Sequence, residues 1–404
     1  MKKALSLLPV LGLLIACAEQ VVPVSPSVVQ ELPTPAAQGS GEPFLSTGKD
    51  GVFMTWIERS GDGVNALKLA HLVHDGWSEP TVIAESDAFF VNWADFPSVT
   101  QGQDGTLWAH WLQRGGTSTY DYGIRVVRSH DLGASWSEPW TLHGDGTPTE
   151  HGFVSTVSLA DGVGFTWLDG RETPATREMT VRYRSVNSDG TPGPETLLDA
   201  RVCDCCQTGM TLTPAGPVAI YRNRSTEEIR DIYITRQVDG VWTEGQPVHN
   251  DGWHIEGCPV NGPSVEMAGD RLAVAWFTGA DDEGRVKLAF SDDLGASFGD
   301  PIVIDDGNPA GRVDLVGMAD GSVLVTWMER TGGEDAEVRV RRVGAAGAAA
   351  ESTTLSSLTD SSRGARATGF PRIVPSADGS FIVAWTDASQ DPSQVRVSRL
   401  ILGS

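Results

Sequence analysis

The sequence predicts an all-β chain closed into a β-propeller of seven four-stranded antiparallel blades. Three observations carry that prediction. Seven large aromatic residues recur at nearly constant spacing: Trp56, Trp111, Trp167, Tyr221, Trp276, Trp327 and Trp385, with gaps of 51 to 58 residues. A fixed period of this size marks one supersecondary unit repeated along the chain. Each anchor also sits in the same local pattern. A small or turn-type residue opens a short apolar run upstream, at Pro43, Pro97, Gly152, Thr208, Pro263, Asp314 and Pro371. A turn pair such as Asp104-Gly105, Asp161-Gly162, Asp320-Gly321 or Asp378-Gly379 follows, then a strand ending on the aromatic residue. Finally, no stretch beyond the extreme N-terminus has a helical period.

Each unit therefore reads as a meander: inner strand, tight turn, anchor strand, polar loop, and a β-type run such as Ile124-Arg-Val-Val-Arg128. Seven such units fit a propeller, for which four to eight blades are usual. A six-bladed ring is the alternative. A β-sandwich also has many short strands but does not explain one aromatic anchor per unit.

The N-terminus sets the compartment. Met1-Lys2-Lys3 is a positive n-region, and residues 5–15 form an apolar h-region too short to span a bilayer. It ends in Leu14-Ile15-Ala16-Cys17, which resembles a bacterial lipobox. The resemblance implies a lipidated Cys17 as the first mature residue. An ordinary signal peptide with a cysteine nearby is the alternative. Residue 18 is Ala rather than Asp, so no inner-membrane retention signal is read. The expected place is the bacterial cell envelope, anchored in the outer membrane and facing the periplasm or the cell surface. The divisions are residues 1–16 as signal peptide, 17–42 as lipidated tether and closing strand, and 43–404 as one propeller domain.

Ring closure needs a further strand. After Trp385 the chain supplies only Gln394-Val-Arg-Val-Ser-Arg-Leu400. An open propeller would leave a raw strand edge. Val28-Val-Gln-Glu-Leu32 is the spare β-type run, expected to pair as the outermost strand of the last blade.

Composition agrees with an exported, turn-rich body. The chain has 46 glycines, 40% hydrophobic residues and a formal charge of −23. So acidic a surface repels phosphate backbones, which excludes nucleic acid as a partner.

Two segments carry a family resemblance. Ser129-His-Asp131-Leu-Gly133-Ala-Ser135-Trp136 resembles the Asp box, and Ser291-Asp-Asp293-Leu-Gly295-Ala-Ser297-Phe298 is a second copy. Worn copies stand at His74-Asp-Gly-Trp77 and Val238-Asp-Gly-Val-Trp242. Asp bonds turn amides, Gly permits positive φ, and the aromatic residue packs between strands. The chain thus resembles the Asp-box, or bacterial neuraminidase repeat, propellers of the sialidase superfamily. The resemblance implies the fold, with each Asp box on the turn between a blade's third and fourth strands. It does not supply a site. The family's Arg-Ile-Pro motif is missing from blade one, its nearest likeness being Phe370-Pro-Arg372-Ile in the last blade. A nucleophilic tyrosine is hard to place among five. Sialidases also have six blades rather than seven.

Function must come from the face where two loop sets meet: those leading into each inner strand and those after each anchor. They hold Trp93 and Asp95, Glu150 and His151, Asp169 and Arg171, the Cys203–Cys206 stretch, Arg222, Arg224 and Arg230, and Trp253 with His254 and Cys258. Glu-Arg and Asp-Arg pairs are often rim salt bridges, but the set as a whole reads as a binding face. Arginine forks match carboxylates, so Arg171, Arg222, Arg224 and Arg230, with Asp95, Trp253 and His254, are the expected ligand contacts. Asp169, Glu150 and His151 are the acid/base candidates. Replacing Arg222 and Arg224 with Ala is expected to abolish binding without unfolding the ring.

The cysteines stand apart from the family. Cys203 and Cys258 occupy equivalent places before neighbouring blades, so a disulfide between them is expected in an oxidising compartment. Cys203–Cys206 and Cys206–Cys258 pairings are alternatives, as are free or redox-active thiols. A metal site is another, with Cys203, Cys205, Cys206 and Cys258 joined by His254 or His249 and selecting Cu(I) or Zn. Nothing else in the sequence calls for a cofactor.

Three functions follow: a surface-tethered propeller binding an anionic small molecule, glycan or protein partner without turnover; an exo-sialidase-like glycoside hydrolase; and a metal-handling lipoprotein.

Overall fold

A computed structural model describes residues 27–73, 76–333, 335–359 and 368–403. Cys17 and the signal segment lie outside these. The described strands form seven antiparallel sheets; six are laid down in chain order from the axis outward, and the seventh takes its outermost strand from the N-terminal end. The inner strands are Ser40–Gly48, Ser98–Gln101, His151–Ser158, Gly209–Thr213, Ser264–Ala268, Pro309–Gly317 and Arg372–Pro375. The anchors lie on the strands paired with them, Gly51–Arg59 through Phe381–Asp387. The first inner strand starts at Ser40, ahead of the expected boundary at 43, because a bulge between Gly41 and Phe44 lets pairing continue past Pro43.

The aromatic period has a direct physical cause. Seven clusters of buried apolar side chains fill the gaps between consecutive blades, and each gap contains one anchor. Trp276 packs on Val218 and Ile220 of the preceding blade, and Trp327 on Ala273 and Ala275. All seven anchors are buried. A flat sheet face needs one wide side chain per gap to reach its neighbour.

Most anchors also dispose of their indole N–H in one way. Trp56, Trp111, Trp167 and Trp327 donate to the side chain two residues on: Glu58 at 3.1 Å, Gln113 at 3.2 Å, Asp169 at 2.8 Å and Glu329 at 2.7 Å. Tyr221 donates to Asp199 at 2.8 Å and Trp276 to Asp251 at 2.6 Å.

The two Ser-x-Asp-x-Gly-x-Ser turns are near-copies. Ser135 N donates to Asp131 Oδ1 at 2.8 Å and Gly133 N to Ser129 Oγ at 2.9 Å. Ser297 N to Asp293 is 2.8 Å and Gly295 N to Ser291 is 2.7 Å. Both turns join third and fourth strands, on the face opposite the candidate loops. Of the worn copies, Asp239 and Gly240 form a positive-φ hairpin turn, while His74 and Asp75 lie outside the described residues. Helix is confined, among the described residues, to Thr173–Thr176 and a 3-10 turn at Ala280–Asp282. No helix there is long and apolar enough to cross a membrane.

The ring closes as expected. Val28–Leu32 pairs antiparallel with Gln394–Ile401, from Val28 opposite Ile401 to Leu32 opposite Val397. Leu32 joins the cluster between the last and first blades. Deleting residues 27–33 removes this ladder and uncovers that cluster. The expected result is a melting temperature lower by about 5 °C or more; an unchanged melting curve would show that the strand does not hold the ring.

Candidate functional site

The inner strands enclose an axial cavity of about 340 Å³. Gln101, Thr156, Thr211, Glu266, Asp314 and Arg372 are among its lining residues. Aromatic and guanidinium groups gather at the end where the inner strands begin. The Arg372 guanidinium lies 4.5 Å from the Phe44 ring and 5.0 Å from Phe96, with Nε 3.6 Å from Asp314. Trp93 stacks on Phe370 at 6.2 Å and 15°, and Arg312 lies 4.7 Å over the Trp93 ring. Arg312 holds positive φ at a bulge after Gly311, as Glu42 and Phe153 do after Gly41 and Gly152.

Beside this platform, Asp95, Tyr122 and Glu150 form one group. Tyr122 donates to Glu150 Oε1 at 2.6 Å, and Phe153 N donates to Asp95 Oδ1 at 2.7 Å. Phe90 stacks flat on Tyr122 at 3.8 Å. Gly152 makes the close approach possible: a Cβ there would meet Asp95 Oδ2 at 2.1 Å and the Tyr122 ring at 3.0 Å. Burial pushes the Glu150 carboxyl up to about 7, partly offset by the Tyr122 hydrogen bond and reinforced by the charge of Asp204. Burial also raises Asp95 well above the ordinary carboxylate range, with the charge of Glu150 adding to it. Two carboxyl groups around one phenol hold a proton near neutral pH. That is acid/base chemistry at a half-buried glutamate.

His151 and Asp169 are placed elsewhere, in a closed network. The His143 and His151 rings stack at 3.6 Å and 4°. His143 lies 2.8 Å and His151 3.2 Å from Asp145. Arg171 grips Asp169 through Nε at 2.7 Å and its terminal nitrogen at 2.6 Å, and reaches Glu195 at 2.8 Å and Asp145 at 3.3 Å. Burial disfavours the charged form of both imidazoles and lowers His143; for His151, Asp145 and Asp169 outweigh it and the shift is upward. His151 and Asp169 are fully buried. Asp169 occupies the same indole-accepting position as Glu58 and Glu329. In this network His151 sits against Asp145 and Asp169, and Asp169 is committed to Trp167 and Arg171. His143, Asp145 and His151 together have ligand-like spacing, but the Arg171 guanidinium already supplies the cation.

The arginines expected to bind a ligand are similarly engaged. Arg222 is 1% exposed; it donates to Asn261 O at 3.1 and 2.9 Å, Arg230 O at 2.6 Å and Phe277 O at 2.7 Å. Its guanidinium lies 4.9 Å from the ring of Trp253, itself buried. Arg224 forks onto Glu228 at 3.0 and 2.7 Å, and Arg230 reaches Glu228 at 2.8 Å and Cys203 Sγ at 3.3 Å. These side chains cross-link loops. His254 is exposed, on the loop bridged to Ile229.

The cysteines also differ from expectation. The four described cysteines are unbridged. Cys203 Sγ lies 3.4 Å from Cys206 and 3.9 Å from Cys205, whereas Cys258 turns to Asp204 at 3.3 Å. Cys203 therefore faces its own loop rather than the next blade. Hydrogen bonds from Cys205 and Cys206, with the nearby charges of Arg222 and Arg230, hold its thiol well below the usual range. Neither His254 nor His249 joins the sulfur group. Sequence reasoning missed Tyr122 because it opens a third strand outside the anchor pattern. Its only signal is the aromatic pair in Tyr120-Asp-Tyr122 on the loop after Trp111.

No protein-family model matches this sequence, and no curated protein matches it. Solved structures do. A PL25 ulvan lyase bound to -[GlcA(1-4)Rha3S]- is similar with a TM-score of 0.57 and 12% identity, over 93% of this chain and 96% of that one. The polysaccharide lyase Uly1 is similar with a TM-score of 0.53 and 12% identity, over 90% of each chain. A Trypanosoma rangeli sialidase gives 0.48 at 11% identity, over 80% of this chain and 56% of that one. At these identities the likeness to the two lyases is one of fold.

Proposed function

We propose that this chain is a glycan-directed propeller, tethered to the outer membrane through lipidated Cys17, that takes a polysaccharide segment onto the Trp93 platform. The observation carrying this reading is the half-exposed Trp93 ring, stacked on Phe370 beside Arg312 and Arg372 where the axial cavity begins. An aromatic face suits the C–H face of a sugar ring, and a concave site with few polar groups is the usual form of a ligand pocket. The lyases of like fold act on polysaccharides, one of them bound to a repeat containing GlcA. An acidic glycan is the favoured class, with half-buried Arg372 at the rim of the axial cavity taking the place of Arg171, Arg222 and Arg224.

The test is calorimetric titration of the full chain in detergent with a GlcA-containing polysaccharide and with a neutral glucan. Trp93→Ala is expected to weaken binding of the acidic polymer about tenfold or more, a loss of at least about 1.4 kcal/mol, while the variant stays folded at the titration temperature. Equal binding by the variant would refute the platform.

A second reading, turnover, is favoured by one specific observation: Glu150, held near neutral, shares a 2.6 Å hydrogen bond with Tyr122. Under it, Glu150→Gln and Tyr122→Phe abolish release of product from the same polymer. A sialyl reporter is expected to remain uncleaved, because Arg171, Arg224 and Arg230 are each held by acids and do not form an open carboxylate grip. Sialyl release by the wild type, lost in Asp169→Ala, would instead favour the hydrolase.

A further inference from the structure

The strongest unassigned cluster is the Cys203-Asp-Cys205-Cys206 loop, at the end of the outer strand Thr196–Val202 of blade three. The ligand atoms of Cys203, Cys205 and Cys206 lie within 4.8 Å of one another. Two of the separations are 3.4 and 3.9 Å. Three sulfurs at about 2.3 Å from one metal ion stand about 4 Å apart. The loop therefore has ligand spacing without rearrangement. Cys203 and Cys206 are buried and Cys205 is half-buried, while exposed Cys258 and Asp204 leave a route from solvent.

We infer that Cys203, Cys205 and Cys206 bind one Cu(I) ion as a trigonal thiolate site. Coordination number and ligand softness select the ion. Arg230 reaches Cys203 Sγ at 3.3 Å, but it also pairs with Glu228 at 2.8 Å and Asp204 at 3.6 Å, so it offsets only part of the thiolate charge. Structural Zn(II) takes four ligands. The fourth thiol, Cys258, is instead engaged with Asp204, and its sulfur groups only with Asp204 and Cys205. Soft thiolates favour Cu(I) among the remaining candidates. Arg230 also acts as an outer partner, donating to a ligand sulfur while Glu228 fixes its orientation. The inference is independent of the glycan reading, since no side chain of the Trp93 platform takes part.

The test uses the reduced full chain in detergent without oxygen, titrated with Cu(I) against a chromophoric Cu(I) chelator. One equivalent should be withdrawn from the chelator, with an X-ray absorption spectrum showing only sulfur neighbours. Cys203→Ser, Cys205→Ser and Cys206→Ser should each weaken retention by more than about 100-fold, and Cys258→Ser should keep it. Should the variants misfold, the wild-type absorption spectrum decides alone. Three results would overturn the assignment: no uptake by the reduced wild type, preferred Zn(II) binding that requires Cys258, or a Cys203–Cys206 disulfide in envelope-extracted protein that resists reduction.

Discussion

Arg222→Ala is expected to destabilise the ring by about 3–5 kcal/mol, the cost of breaking a buried charge network. Four hydrogen bonds run from this one guanidinium to the carbonyls of Asn261, Arg230 and Phe277. Asn261 precedes the inner strand of blade five and Phe277 lies on its anchor strand, so Arg222 of blade four pins the neighbouring blade. Truncation removes the Arg222 donor from three carbonyl groups, and a buried group left unsatisfied costs about 1–3 kcal/mol. It also opens a void against Trp253. Arg222→Lys should recover little, because a single ammonium does not span three acceptors. Arg224→Ala is the contrast. Its side chain is partly exposed and its partners are two half-buried glutamates, Glu228 at 2.7 Å and Glu178 at 3.9 Å, so the expected loss is about 1 kcal/mol or less. Chemical denaturation of the three variants measures both. A wild-type midpoint for Arg222→Ala would restore the view that this arginine is held for a ligand.

That contrast shows where the sequence was informative. Blade number, anchor positions and the closing strand were all legible, because each follows from a one-dimensional pattern. A gap between flat sheets needs a wide side chain, and the need recurs once per blade. The face on which Glu150, Arg222 and Cys203 stand was legible too, since chain direction fixes it. What was not legible is who meets whom on that face. Arg222 and Arg171 look identical as residues after an anchor, yet one faces carbonyls and the other faces Asp169, Glu195 and Asp145. Most of those partners, Asp145, Glu195, Asn261 and Phe277, come from elements tens of residues away. Asp169 was separable in principle, because Glu58, Gln113 and Glu329 hold the same place two residues past a tryptophan. Tyr122 was not, because its role depends on the left-handed bend at Phe153 after Gly152, which brings Asp95 and Glu150 together.

Stability is expected to rise as pH falls from about 8 to about 5, and the carboxyl groups at the axis set the sign. Glu150 and Glu266 both have folded-state values raised from 4.5 to about 7, chiefly by burial. Between those two values the folded chain holds protons that the unfolded chain has released. Stability therefore falls as pH rises through that window and is recovered on acidification. A shift of this size corresponds to at most about 3 kcal/mol per group. Glu266 contributes the smaller share, because it faces the axial cavity and solvent there relieves its charge. Buried Asp95, raised well above the ordinary range, adds to the gain. His110, lowered to about 3 by burial, and His143, lowered for the same reason, oppose it below 6.5 and are outnumbered by the three carboxyl groups. His151 acts with the carboxyl groups. Its raised folded value makes its contribution complete below 6.5 and lost as pH rises through the folded value. The gain reverses in stronger acid. Glu228, depressed to about 2 by Arg224 and Arg230, gives stability that is present above the ordinary carboxylate range and lost as pH falls toward its folded value. Thermal melts at pH 5, 6.5 and 8 should thus place the highest Tm at pH 5. Glu150→Gln keeps an acceptor for Tyr122 but removes the buried charge, so it should raise Tm at pH 8 and leave it unchanged at pH 5. Equal melting temperatures at pH 5 and 8, or a Glu150→Gln variant weakened at both, would mean that Glu150 is ionised without penalty and is not the proton-holding group of this site.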